Sequence, residues 1–589
     1  MTDTIIPNVD GAATLSSGVA YWSNAANARL PLLPQSDASL TEEAFELAYD
    51  AEVAAVYAAL DVLQAYRDVQ RAGITEQHNA RLDTTTVFPP EILSHVLSYL
   101  PQPYTDSSQY VPREHLSWMS AAHVCRRWRA IALSNQSLWS RLHLMMPDDV
   151  WSTFMERAGG ASLVIQGRWR FASPLRRQDI YERLERVEEL DLRVPEIEEL
   201  ADLFLAGTAA CLRSFIVHTS PTPRIDPSLS HFLLSCAPAL RHLNLYGVHF
   251  PWGCTIPTVN SLRLYDPTLP GDPIPSFAQV VQTLTSTNLE ELVLTGSQLF
   301  SLSSEVPPPV PIKLGSLTLK CHAQQAVILL RTFILSPTCS IDVYVRSDQR
   351  PVVTEVMDDD TSDTALIAST IRDHLSRADA PRYKALQLQC YSRCAELKLD
   401  HADPVVTPGS INGVRIEISV PGSRIDKSSC RAKILKLTRA VPVGLLKGLQ
   451  HLTLSSGIHW SREDTYRLLH HTTNVERLTF YSEAHGGNAA GLLYNIISPS
   501  RPSSNVTNAE SPTHLLPALK ELYLHKVNFN NSVRCNDKDV PLTEALLDVL
   551  KSRRDVGCRV QVLRLGECRS VLDNDLYRFS RWVADVMVV

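Results

Sequence analysis

Beyond residue 160 the chain repeats one short pattern, apolar-x-x-apolar-x-apolar. It reads VEELDL at 187–192, LRSFIV at 212–217, LRHLNL at 240–245, VNSLRL at 259–264, LEELVL at 289–294 and LGSLTL at 314–319. It returns as YKALQL (383–388), LQHLTL (449–454), VERLTF (475–480), LKELYL (519–524) and VQVLRL (560–565). INGVRI (411–416) is a weaker copy, and SIDVYV (340–345) keeps only the alternation. The fourth positions of the first six copies are 190, 215, 243, 262, 292 and 317, so successive copies lie 25, 28, 19, 30 and 25 residues apart. Later gaps widen to about 40, where segments such as VTEVMDDDTSDT and SPSRPSSNVTNAESPTH intervene. The alternating end of each copy predicts a strand with two apolar side chains on one face. The segments SLSHFLLSCAPA, FAQVVQTLTST, REDTYRLLHHTT and LTEALLDVLKSR carry helical spacing and each precede such a strand. A helix–turn–strand unit repeated about a dozen times buries its apolar face only by stacking on its neighbours. An α/β solenoid over 160–589 is therefore expected.

The N-terminal part has a different pattern. Residues 1–38 are polar, small and without period, which predicts a disordered tail. Residues 39–80 predict a helical lead-in, with Val53, Val56, Leu60 and Leu63 spaced three, four and three apart. Ser39 and Glu42 could form a capping box at its start. The stripe is expected to pack on neighbouring elements, and a partner helix or short coiled coil is the alternative. Residues 86–145 form a compact unit. FPPEILSHVLSYLP (88–101) opens it and QPYTDSSQYVPREH follows as a polar insert; LSWMSAAHVCRRWRAIALSNQSLWSRLHL (116–144) closes it. Pro89 and Pro90 suit a helix start, and Glu91 suits its dipole. The helix is too short to stand alone, since isolated helices under ~12–15 residues are marginal in water.

Composition narrows the functional classes. Of 589 residues, 44% are apolar and 20% charged, and the net charge is −7. That argues against a nucleic-acid binder. No run reaches the ~18 apolar residues a membrane span needs, and the N-terminus has no signal-peptide pattern. Twelve cysteines form no C-x-x-C pair, which argues against structural zinc and for a reduced intracellular chain, cytoplasmic or nuclear. The run Asp358-Asp359-Asp360 reads as a solvated loop. No phosphate loop, H-E-x-x-H or G-x-S-x-G is present. No enzymatic activity, cofactor or metal is expected.

Residues 88–142 resemble an F-box. Phe88, Pro89, Pro90, Glu91, Ile92, Leu93, Val96, Leu97, Ser98, Tyr99 and Leu100 follow that family's L-P-x-E-I-L-x-x-I-L-S-Y-L block. Val124, Cys125, Arg126, Trp128, Arg129 and Ala132 follow V-C-R-x-W-R-x-x-A, and Leu138 and Trp139 supply L-W. The long insert and Glu114-His115-Leu116 depart from the family pattern. The repeated motif resembles leucine-rich repeats, without the Asn or Cys usual after the strand. The combined arrangement resembles F-box/leucine-rich-repeat proteins of mushroom-forming fungi. The resemblance implies the substrate-recognition subunit of an SCF-type cullin-RING ubiquitin ligase. In it the F-box binds a Skp-type adaptor and the repeats bind a target protein. A non-ligase scaffold with an F-box-like fold is the alternative. Expected adaptor contacts are Pro89, Ile92, Leu93, Val96 and Leu97, supported by Trp128 and Leu138. Expected target contacts lie between the inward leucines: Arg193, Tyr246, Arg263, Tyr265, Tyr481 and Tyr523, with Asp191, Asn244, Arg477 and Arg564 on the same face.

Overall fold

The computed structural model describes residues 42–82, 88–100, 113–220, 227–267, 274–301, 308–346, 359–377, 379–391, 394–401, 413–419, 427–455, 462–482, 515–535 and 538–589, with isolated positions at 20, 24, 493, 494 and 496. Two compact units emerge, one of Met1–Pro101 with Ser117–Ser134 and one of Gln102–Leu116 with Asn135–Val589. The tail expected over 1–38, the Ser39 cap and most of the polar insert lie outside the described residues.

The first unit is helical. Helix α1 spans Glu42–Leu82, α2 spans Pro90–Ser98 and α3 spans Arg126–Ser134. A 3-10 segment, Arg113–His123, precedes α3. Helices α2 and α3 pack on each other. The α1 stripe does not pack as expected. Val53 is half-buried, but Val56, Leu60 and Leu63 are exposed.

The second unit opens with the short helix α4 (Gln136–Trp139) and helix α5 (Asp148–Ala158). Among the described residues it is built on a 17-stranded sheet. Its strands are β1 (Arg141–His143), β2 (Leu163–Arg168), β3 (Val187–Val194), β4 (Ser214–Thr219), β5 (His242–Tyr246), β6 (Ser261–Tyr265), β7 (Glu291–Thr295), β8 (Ser316–His322) and β9 (Ser340–Arg346). They continue as β10 (Ala385–Tyr391), β11 (Cys394–Asp400), β12 (Gly413–Ser419), β13 (His451–Ser455), β14 (Arg477–Tyr481), β15 (Glu521–His525), β16 (Val562–Gly566) and β17 (Asp585–Val588).

Equivalent motif positions sit in register across this sheet. Leu190, Phe215, Leu243, Leu262, Leu292 and Leu317 stand opposite one another from β3 to β8. All are buried, as are Leu192, Val217, Leu245, Leu264, Leu294 and Leu319 two residues further on. The first motif position (Leu212, Leu240, Val259 and Leu289) is buried too, just before the strand. Each such side chain contributes roughly 1.5–3 kcal/mol of burial, and one copy has nothing to bury against until the next arrives.

The array is not uniform. Neighbours follow sequence order from β1 to β9 and from β13 to β17, but the middle runs β9-β12-β11-β10-β13. Strand β11 is antiparallel to both its neighbours, and every other pairing in the sheet is parallel. The reason is connection length. Only two residues separate β10 from β11, enough for a hairpin and far short of the crossover that parallel strands need. The structure thus shows a mixed α/β chain with a long, mostly parallel sheet, and not the irregular leucine-rich-repeat solenoid expected from the repeat. Strands β1, β2, β11 and β17 fall outside the repeated motif. Two helical expectations also change. SLSHFLLSCAPA breaks into a helix over Pro227–His231 and a π-turn over Phe232–Cys236. Asp359 and Asp360 open a helix, Asp359–Leu375, where a loop was expected, while Asp358 lies outside the described residues.

Candidate interaction surfaces

Helix α2 begins where its sequence says it should. Pro89 takes the N-cap with φ −55° and ψ 149°, Pro90 follows at the first helical position, and Glu91 lies in the first turn. The Phe88 carbonyl accepts a hydrogen bond from Arg127 Nη2 in the first turn of α3, which ties the entry of α2 to its partner helix. At the other end the Tyr99 hydroxyl lies 3.2 Å from His95 Nε2, with the two rings edge-on at 5.0 Å.

The nine residues of α2 are apolar on two sides, and the structure separates them. Leu93 and Leu97 are 1% exposed. Ile92 and Val96 are 49% and 47% exposed, and Phe88, Pro89, Tyr99 and Leu100 lie open beside them. A helical step of four residues sets 92, 96 and 100 in one row and 93 and 97 in the next. Of the expected adaptor contacts, therefore, Pro89, Ile92 and Val96 present surface. Leu93 and Leu97 are spent on the interior, and so is Leu138, also 1% exposed. Leu138 belongs to α4, whose N-cap Asn135 accepts from the Ser137 backbone N–H at 3.2 Å. Its neighbour Trp139 stacks edge-on against Phe154 of α5 at 5.0 Å and lies under the Arg157 guanidinium at 4.3 Å. Trp128 is half-buried.

The sheet face opposite the leucines carries the second surface. Register aligns Arg193, His218, Tyr246 and Tyr265 on β3 to β6. The rings form a stack, His218 on Tyr246 at 4.1 Å and Tyr246 on Tyr265 at 4.0 Å, tilted by 13° and 7°. Burial pushes the Tyr265 hydroxyl up to about 12, helped by its hydrogen bond with Tyr246. Burial also pulls His218 down to about 4, with the Arg193 charge adding to it. One row below, Asp191 and Asn244 each hold a buried side-chain oxygen without a hydrogen-bond partner among the described residues. Burial raises the Asp191 carboxyl to about 6. Arg263 donates to Glu291 at 2.8 Å, and Ser261 donates to the same carboxylate at 2.7 Å. Burial opposes ionisation of Glu291, but these two hydrogen bonds win and hold its carboxyl below the usual range.

The remaining expected contacts form a separate patch on β14 to β16. Tyr481 meets the His525 ring edge-on at 5.0 Å, and Tyr523 meets it at 5.9 Å. Glu521 accepts from Arg477 at 2.7 Å and lies 3.9 Å from Arg564. A side chain at Gly566 would strike the Tyr523 hydroxyl at 2.5 Å, so this position has to stay bare for the ring to lie over it.

The two patches are separated by β7 to β13. Between them lies a cluster the repeat did not announce: Arg415 on β12 bonds Glu396 at 2.6 Å and Glu417 at 2.9 Å, while Lys398 bonds Asp400 at 3.1 Å. His218, His525, Glu291 and Glu521 were also missed. All four occupy outward positions of recognised strands, so alternation alone could have found them. Among the described residues no cluster of His, Cys, Asp or Glu could hold a metal ion, and no helix is long and apolar enough to cross a membrane.

Residues 87–145 match the family model described as F-box-like. No curated protein matches the chain. The matched segment contains α2, α3, α4 and β1, and so takes in both the exposed Ile92–Val96 row and the buried Leu93–Leu97 row.

Proposed function

We propose that the chain is the substrate-recognition subunit of an SCF-type cullin-RING ubiquitin ligase. The F-box-like segment binds a Skp-type adaptor, and through it the cullin-RING enzyme. The polar face of the leucine-patterned sheet binds the target protein. In this role the chain performs no covalent chemistry, needs no cofactor and works inside the cell. The observation that supports the reading best is the exposed apolar row of α2, lying inside the segment that matches the F-box-like model. Burying Ile92 and Val96 on an adaptor would contribute roughly 1.5–3 kcal/mol each. Pro89, Phe88 and Leu100 would add to that against an association cost of about 4–15 kcal/mol.

The test is coexpression with a Skp-type adaptor and purification through a tag on the chain. The wild type should carry the adaptor with it, and Ile92→Asp/Val96→Asp should lose it while keeping the wild-type circular dichroism. Leu93→Asp is the wrong probe, because a buried aspartate would unfold the unit instead of testing contact. A wild-type chain that never copurifies the adaptor would sink the ligase reading and leave an interaction scaffold in its place.

A further inference from the structure

Helix α1 runs for 41 residues, and most of its described side chains are exposed. At ~1.5 Å per residue it is about 60 Å long. Its stripe continues the three-four spacing beyond the four aliphatic positions: Glu46, Tyr49, Val53, Val56, Leu60, Leu63, Arg67. Tyr49, Val56, Leu60 and Leu63 are between 40% and 56% exposed. That is a seam of about two heptads, acidic at one end, basic at the other and left open among the described residues.

We infer that α1 pairs with α1 of a second copy of this chain, antiparallel, through this seam. The charges select both occupant and direction. Residues 42–61 hold Glu42, Glu43, Glu46, Asp50, Glu52 and Asp61 and no basic side chain. Residues 62–82 hold Arg67, Arg71 and Arg81 against Asp68 and Glu76. A parallel pair would stack Glu46 on Glu46 and Arg67 on Arg67 within the seam. An antiparallel pair centred between Val56 and Leu60 sets Val53 against Leu63 and Val56 against Leu60. It brings Tyr49 against Arg67 and the Glu46–Asp50 end beside the Arg67–Arg71 end. Arg67 already touches Asp68 at 2.9 Å, but both side chains are open to water and such a pair is readily exchanged. Apolar layers supply the attraction, and the end charges fix register and orientation.

Sedimentation equilibrium of the full-length chain tests this. The wild type should show twice the 65.6 kDa chain mass at micromolar concentration. Val56→Asp/Leu60→Asp should raise the dimer dissociation constant at least a hundredfold with its helix content unchanged. Val62→Asp, on another side of the helix, should leave it within about threefold. Orientation is read from charge reversal at low salt. Glu46→Arg/Asp50→Arg and Arg67→Glu/Arg71→Glu should each weaken the dimer about tenfold or more, and the four changes together should restore it. A monomeric wild type, or a dimer indifferent to Val56→Asp/Leu60→Asp, overturns the pairing. Reversals with no effect singly or together overturn the antiparallel direction.

Discussion

Helix α2 leaves Ile92 and Val96 about half in solvent. The sheet face from β3 to β6 exposes rings already stacked and ions already paired. The contrast separates two ways of binding. The α2 row gains chiefly by leaving water, so it is strong for its size and tolerant of which aliphatic residue supplies the area. The sheet face gains little by desolvation, since its groups are partly satisfied. What it offers is placement, and placement discriminates between partners more than it adds raw affinity. On the proposed function, one constant adaptor is held and targets are chosen, and that needs both kinds.

Substitutions can break this comparison, and the largest effect lies within α2 itself. Leu97→Ala should destabilise the helical unit by ~2–5 kcal/mol, as buried leucine truncations do. Ile92→Ala, one row away, should change stability by no more than about 0.5 kcal/mol. Chemical denaturation of the two variants side by side checks this. Equal losses would mean that the two rows are not functionally distinct.

A middle-sized effect is expected at Asp191, through pH. Its folded-state carboxyl is raised to about 6 from an ordinary 3.8 by burial. A raised carboxyl favours folding when protonated. That contribution is complete below the unfolded value and lost as pH rises through about 6. At pH 7 the charge is a liability, so Asp191→Asn should stabilise the sheet unit by about 1–2 kcal/mol. The advantage should shrink as pH falls from 6 towards 4. His218 works in the opposite sense. With its folded value pulled to about 4, its contribution is present above 6.5 and lost as pH falls towards 4. Urea midpoints of wild type and Asp191→Asn at pH 7 and pH 5 would expose the difference, and a gap that does not narrow would contradict it.

The smallest effect is expected at Arg263. Its bond to Glu291 is well aligned, but the arginine side chain is 44% exposed, and surface pairs are worth roughly 0–1 kcal/mol. Arg263→Ala should therefore hardly move the thermal midpoint. If this face reads the target, the same variant should still weaken target binding measurably, a split that sharpens the distinction between holding the fold and reading a partner.

Much of this architecture was legible in the chain. The L-x-L ending placed Leu243 and Leu245 inside and Asn244 and Tyr246 outside, because strand alternation is a local property. Register followed as well, since a slip by one residue would turn every leucine to water. Strand direction was not legible from the pattern: AELKL at 395–399 alternates as cleanly as the parallel strands do, and alternation is blind to polarity. The two-residue gap before it carried the missing information. In α2 the difficulty was different. In a nine-residue helix, Ile92, Leu93, Val96 and Leu97 spread over an arc of about 140°, wide enough for two rows, so helical periodicity could not say which row turns inward. That choice is made by α3, from elsewhere in the chain.

The displaced order β9-β12-β11-β10-β13 also bears on how the chain gains its structure. Everywhere else a strand meets the next one in sequence, so the loop entropy to be overcome is small and contacts can accumulate as the chain emerges. Between β9 and β12 the closing contacts are distant: Ser340 Oγ donates to the Gly413 carbonyl across 73 positions. Loops of that length cost more and close more slowly than short ones. The two runs of sequential strands are therefore expected to order first and separately, and the central junction to join them last, leaving the edges of β9 and β13 bare in the interval.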